Sequence, residues 1–279
     1  MLLTDSTTTM TRDNIQLLHI NNVFASAEIS LFGGHMLSFK PKHDNRERLW
    51  VSQNAVFDGK KAIRGGIPIC WPWFGDHNSN TNLAAHGYVR TQTWQILSCE
   101  ETDTGTAVTL RPQTSAGDGF EGNAQLTLVV HVGQQLTIQL HTANLGETSL
   151  TYNCALHSYF AISDIKQSEL LGLSEPYSDK TRGYQIYDTP QPYRINEETD
   201  RVHQEQPKTL TIADGENKTD VLSSGHDSIV VWNPWQEKSI SMGDMADDSY
   251  LTMLCVETAI TQRQEVVPKA THLLEQVIK

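Results

Sequence analysis

Residues 125–140 read QLTLVVHVGQQLTIQL, and the reading of this stretch decides the fold class. Two alternations of apolar and polar residues, 125–132 and 135–140, are rich in Leu, Val, Ile and Thr and flank the link Val132-Gly133-Gln134-Gln135. That pattern predicts two strands joined as an antiparallel hairpin. The same pattern recurs at 228–232 (SIVVW) and 250–256 (YLTMLCV). Segments with helical periodicity are few and short, which disfavours repeated βαβ units and predicts an all-β fold of many antiparallel strands in packed sheets. With no composition shift and no internal repeat, residues 1–279 are expected to form one domain, with 1–14 a loose N-terminal segment. The polar stretch 179–208, which carries Pro190, Pro192 and Pro207, reads as a long surface excursion.

Charge narrows the function classes. The chain has 21 Lys plus Arg against 33 Asp plus Glu, a formal charge of −12, which opposes binding to nucleic acid or anionic lipid. Cys70, Cys99, Cys154 and Cys255 lie far apart without C-x-x-C spacing, so buried reduced thiols are expected and neither a zinc module nor a disulfide scaffold. The first residues lack a basic or apolar leader pattern, and no apolar run approaches the ~20 residues of a membrane span. The expectation is a cytoplasmic protein without nucleic-acid or membrane partners.

Four segments could carry chemistry. Residues 62–77 (AIRGGIPICWPWFGDH) place Arg64 before Gly65-Gly66. Glycines there let the backbone approach a ligand and aim amide groups at an anion, although a packed loop with a solvent-facing Arg fits the composition equally. Residues 85–90 (AHGYVR) add Arg90 nearby, and two guanidiniums could fork onto one phosphate. His157 lies in an aromatic, strand-like segment, 152–160 (YNCALHSYF). It reads either as a satisfied core residue or as a general acid. Glu257, in Leu254-Cys255-Val256-Glu257-Thr258, reads either as a strand-end carboxylate reaching water or as a functional group, because burying it unpaired is costly.

Taken together, RGGIPICWPWFG (64–75), HGYVR (86–90), LHSYF (156–160), DRV (200–202) and VET (256–258) resemble the aldose 1-epimerase superfamily, in its glucose-6-phosphate 1-epimerase branch. The resemblance covers the chain from about residue 20 to the end. It implies a large antiparallel β-sandwich of the galactose mutarotase type and an isomerase that interconverts the α and β anomers of a hexose 6-phosphate without metal or cofactor. Carried over by motif, His157 is the general acid, Glu257 the general base, Arg64 and Arg90 hold the phosphate, and His86 and Asp200 line the sugar site. Ala85 and Tyr88 depart from the usual Gln and Phe. Asp200 is a candidate to support a protonated His157, and Lys60 or Lys61 could also reach the phosphate. The expected partner is the small-molecule substrate alone, with a monomeric chain. Three other readings remain: an epimerase for unphosphorylated hexoses, a glycosidase, which would need two carboxylates, and a non-catalytic sugar-binding sandwich.

Overall fold

The protein is described over residues 3–279 by a computed structural model. In chain order the strands are β1 (Thr7–Arg12), β2 (Ile15–Asn21), β3 (Ala25–Ser30), β4 (His35–Pro41), β5 (Ile69–Cys70), β6 (Trp94–Thr102), β7 (Gly105–Pro112), β8 (Ala124–Gly133), β9 (Leu136–Asn144) and β10 (Leu150–Leu156). They continue with β11 (Tyr159–Ala161), β12 (Ser168–Leu171), β13 (Tyr177–Asp179), β14 (Gln185–Tyr187), β15 (Thr199–His203), β16 (Thr209–Asp214), β17 (Asn217–Ser224), β18 (Ser228–Asn233), β19 (Met253–Val266) and β20 (Thr271–Ile278). A single short helix, α1 (Trp235–Ser241), is found among the described residues, with three 3-10 turns.

The strands make a four-stranded meander, β1 to β4, and two eight-stranded antiparallel sheets. One runs β12-β16-β17-β20-β9-β8-β7-β6; the other runs β14-β13-β15-β18-β19-β10-β5, with β11 also on β19. The 125–140 hairpin forms as its alternation predicts: β8 and β9 pair in unbroken register from Ala124 with Asn144 to Val132 with Leu136. Leu126, Leu128, Val130, Leu136, Ile138 and Leu140 pack into one apolar cluster with Leu156, Ile229, Val231, Leu254, Val256 and Ile260 of the other sheet. A β-sandwich follows, its core formed by the buried parity of each sheet.

The N-terminal segment 1–14 is not loose where it is described: β1 pairs with β2 from Thr7 with Ile20 to Arg12 with Ile15. Met1 and Leu2 of that segment lie outside the described residues. The stretch 179–208 is more than a surface excursion, because it carries the end of β13 together with β14 and β15 at one edge of a sheet. Its polar composition hid β15, whose residues alternate Thr199, Arg201 and His203 inward. The strand expected at 250–256 starts later and runs further, since Ser249–Leu251 form a 3-10 turn and β19 extends from Met253 to Val266. All four cysteines are free and buried, as expected of inert core thiols.

Candidate active site

Strand parity builds the site. On β19 the even residues Leu254, Val256 and Ile260 point into the sandwich core, so Cys255 and Glu257 project from the opposite face. Across that face, Asp200 pairs with Trp232, Trp232 with Cys255, and Cys255 with Tyr159, while Val230 pairs with Glu257. A concave cavity of about 300 Å³ opens there, lined by Arg64, Phe74, His86, Arg90, His157, Tyr159, Lys180, Asp200, Val230, Trp232, Lys238, Met242 and Glu257. All six residues singled out in the sequence meet in it.

His157 occupies the break between β10 and β11, both of which pair with β19. The strand-like alternation of 152–160 is therefore interrupted at the residue that matters. The break sets the ring over Glu257, with Nδ1 3.4 Å from the carboxylate Oε1. Tyr159 stacks on the imidazole at a centroid distance of 4.9 Å and 9° between planes, and Phe74, His86 and Trp232 meet it edge-on. Beneath the break, Ser158 Oγ donates to Gln276 Oε1 (2.5 Å), and Gln276 Nε2 donates to Thr258 Oγ1 (2.8 Å). These bonds tie the break to β20 of the facing sheet and fix the ring's position.

Glu257 is 1 % exposed and lies inside β19 rather than at its end, so it does not reach water. Burial raises its ionisation well above the ordinary carboxylate range, and the Asp200 charge adds to the rise. Burial likewise pushes His157 well below 6.5, helped by His86, Arg90 and Arg64. Both are thereby driven toward their neutral forms. The carboxylate beside His157 is Glu257, whereas Asp200 is engaged by Lys180 at 3.2 Å; the expected support of a protonated His157 by Asp200 gives way to that pairing.

His86 adopts a left-handed backbone, φ 66°, and its Nδ1 accepts a hydrogen bond from the Gly75 amide (3.2 Å). Burial, with the nearby cations, lowers it to about 3. It is a neutral ring whose Nε2 carries the proton, a donor toward the cavity. Gly87 follows with φ 73°, and a Cβ there would lie 1.9 Å from the Trp71 carbonyl oxygen. That contact holds the 86–90 turn tightly against the aromatic loop.

The two glycines after Arg64 serve the fold rather than an anion. The Gly66 amide donates to Trp50 O (2.7 Å), Gly65 O is bonded by His35 Nε2 (2.6 Å), and a Cβ on Gly66 would come 2.1 Å from Met36 O. Gly66→Ala, at φ 62°, is expected to cost about 2–3 kcal/mol of stability, read as a lowered thermal midpoint.

Four cations ring the cavity in a chain of net charge −12. Arg90 Nη2 donates to Ala85 O (2.8 Å). Arg64 Nε donates to Asp244 Oδ2 (3.2 Å), Nη2 pairs with the same oxygen at 3.1 Å, and Nη1 donates to Tyr159 Oη (3.0 Å). Lys180 and Lys238 were missed by the sequence reading, while Lys60 and Lys61 do not line the cavity. Nothing in the sequence marks the two lysines, because the 3-10 turn after β13 and the helix α1 bring them in from distant segments.

His157, Cys255 and Glu257 place potential metal-ligand atoms within 4.8 Å of one another. The thiol is fully buried and its ionisation is raised well above 9 by that burial and by the Glu257 charge. A metal bound there would have to displace the buried Cys255 proton.

Comparison with known proteins identifies relatives. The family described as Aldose 1-epimerase matches residues 16–278. A protein of Escherichia coli K12 named "Putative glucose-6-phosphate 1-epimerase" is 34% identical over 279 residues, covering 95% of this chain and 90% of its own. The crystal structure of "a putative mutarotase" from Salmonella typhimurium superposes with a TM-score of 0.91 at 32% identity, over 99% of this chain and 94% of its own. A galactose mutarotase-like protein from Lactobacillus casei shares the fold at a TM-score of 0.71 and 15% identity, over 94% and 99% of the two chains.

Proposed function

The chain belongs to the aldose 1-epimerase family, and on that premise we propose that it interconverts the α and β anomers of a hexose 6-phosphate, with Glu257 as base and His157 as acid. The observation that carries the reading is the buried His157–Glu257 pair at 3.4 Å in a cavity ringed by Arg64, Arg90, Lys180 and Lys238. The pair supports proton transfer at the anomeric carbon, and the cations support recognition of an anion remote from it.

Ring opening needs the proton of the C1 hydroxyl removed while the ring oxygen O5 is protonated. The Glu257 carboxylate takes the O1 proton, C1=O forms, the C1–O5 bond breaks, and O5 receives the proton from His157 Nε2, since Nδ1 faces Glu257. Rotation about C1–C2 followed by the reverse transfers closes the ring on the other face. Protons balance, with no net gain by the protein.

Burial favours the opening half of this cycle. The reactive tautomer is Glu257 carboxylate with His157 imidazolium; after opening, both groups are neutral, which is the state that burial favours. The raised carboxylate is a stronger base and the lowered imidazolium a stronger acid than either would be in water. Stacking on Tyr159 keeps the ring aligned through both transfers. His86, as a neutral donor, suits a sugar hydroxyl, and Asp200 suits another as acceptor.

Because the pair works with a single proton, activity should be bell-shaped in pH. A second proton, taken by His157, quenches it on an acid limb below the usual imidazole 6.5; loss of the proton, resisted by Glu257, quenches it well above the usual 4.5. The pH profile of kcat/KM on unphosphorylated glucose, which has no titrating phosphate, checks this.

The substrate class is tested by polarimetric mutarotation of glucose 6-phosphate and of glucose at equal protein concentration. A higher kcat/KM for the phosphate is expected. Equal or reversed values would select the epimerase of unphosphorylated hexoses, and no acceleration of either would select the binding module.

A further inference from the structure

Arg64 lines the cavity with one edge of its guanidinium already paired to a carboxylate. Asp244 sits in the turn that follows α1, in the segment that also contributes Lys238 and Met242 to the cavity wall. Its Oδ2 accepts a hydrogen bond from Arg64 Nε (3.2 Å) and forms an ion pair with Nη2 at 3.1 Å. The third nitrogen, Nη1, donates to Tyr159 Oη. The Nε–Nη2 edge of that guanidinium is covered by a carboxylate, so an incoming phosphate must compete with Asp244 for its charge and for that edge. Arg90, by contrast, donates to a backbone carbonyl, which carries no net charge.

The Asp244 side chain is 32 % exposed, and a Cβ at the preceding Gly243 would meet nothing within 4 Å. The carboxylate is thus partly open to solvent, toward which its side chain can swing away from Arg64. Two anions cannot share one guanidinium face without repulsion, and a phosphate dianion offers more charge and more acceptor oxygens than a carboxylate. A neutral hexose offers no such exchange.

We propose that Asp244 is a resident counter-anion of Arg64, displaced by the substrate phosphate, so that it tunes how strongly the site prefers phosphorylated over free sugar. This rests on the phosphate-site reading given under the proposed function. Asp244 acts through Arg64 and touches no reacting atom. Its removal raises the fraction of protein whose Arg64 is free to receive the anion, and apparent affinity rises by the same factor.

The test is calorimetric titration of the full chain with 1,5-anhydroglucitol 6-phosphate, which cannot anomerise, and with 1,5-anhydroglucitol. Asp244→Asn, which keeps the shape and an acceptor oxygen, is expected to tighten the phosphorylated ligand about 3- to 10-fold and to leave the unphosphorylated one unchanged. Asp244→Ala should shift affinity in the same direction. KM for glucose 6-phosphate should fall in parallel. Unchanged or weakened binding of the phosphorylated ligand in both variants, with wild type still preferring it, would overturn the counter-anion role and leave the phosphate site standing. Equal binding of the two ligands by wild type would overturn both.

Discussion

Replacing Glu257 by Gln is expected to lower kcat for sugar-phosphate anomerisation by about 10²- to 10⁴-fold, the contribution of one positioned proton transfer, while the variant stays folded. Gln matches the carboxyl in shape but cannot accept the O1 proton. The same substitution makes a second, opposite prediction about stability. Folding lifts the Glu257 ionisation well above 4.5, so the native state holds that proton where the unfolded chain has lost it. The stability this contributes is full below the unfolded value and is lost as pH rises through the folded one. Gln does not ionise, so Glu257→Gln should melt above wild type at pH 8, with the gap closing toward pH 5. Thermal melts across that range, read beside the activity loss, separate a catalytic role from a structural one, because damage to the fold would lower both.

Arg90→Ala is expected to lower kcat/KM for glucose 6-phosphate by about 10- to 150-fold, the loss of one charge-assisted hydrogen bond of about 1.5–3 kcal/mol, and to change that for glucose far less. Arg90 is the sharper choice of the two arginines. Removing Arg64 would also strand Asp244 and the Tyr159 hydroxyl, mixing the loss of ligand binding with repair of the site. Phosphate binding far from C1 serves to hold C1 and O5 against Glu257 and His157, so part of the loss should appear in kcat. Steady-state rates on the two sugars check it, and an equal loss on both would remove Arg90 from the phosphate.

Much of this was legible in the sequence because strand parity is local. The period-two pattern of 125–140 specified its hairpin, and the five short motifs supplied every residue of the proton-transfer pair and two of the four cations. What escaped depends on tertiary placement. Gly65 and Gly66 looked like an anion cradle, yet their freedom is used against Trp50 and Met36, partners that sequence spacing does not reveal. The stretch 179–208 looked like a loop because β15 buries Arg201 and His203 instead of apolar residues. Asp200 seemed free to support His157 until Lys180, just inside the same stretch, engaged it. The lowered ionisation of His157 was not legible for the same reason: burial, His86, Arg90 and Arg64 act on it together, and only the fold assembles them.

The central claim, that a buried one-proton pair drives anomer exchange of a phosphorylated sugar, is tested most directly by exchange NMR of glucose 6-phosphate. Magnetisation transfer between the α and β C1 proton signals is followed with no protein, with wild type, and with Glu257→Gln at equal concentration. Wild type is predicted to transfer magnetisation far faster than the spontaneous rate, and Glu257→Gln to fall back toward it. Wild type no faster than the spontaneous rate, or a Glu257→Gln variant as fast as wild type, would contradict the account.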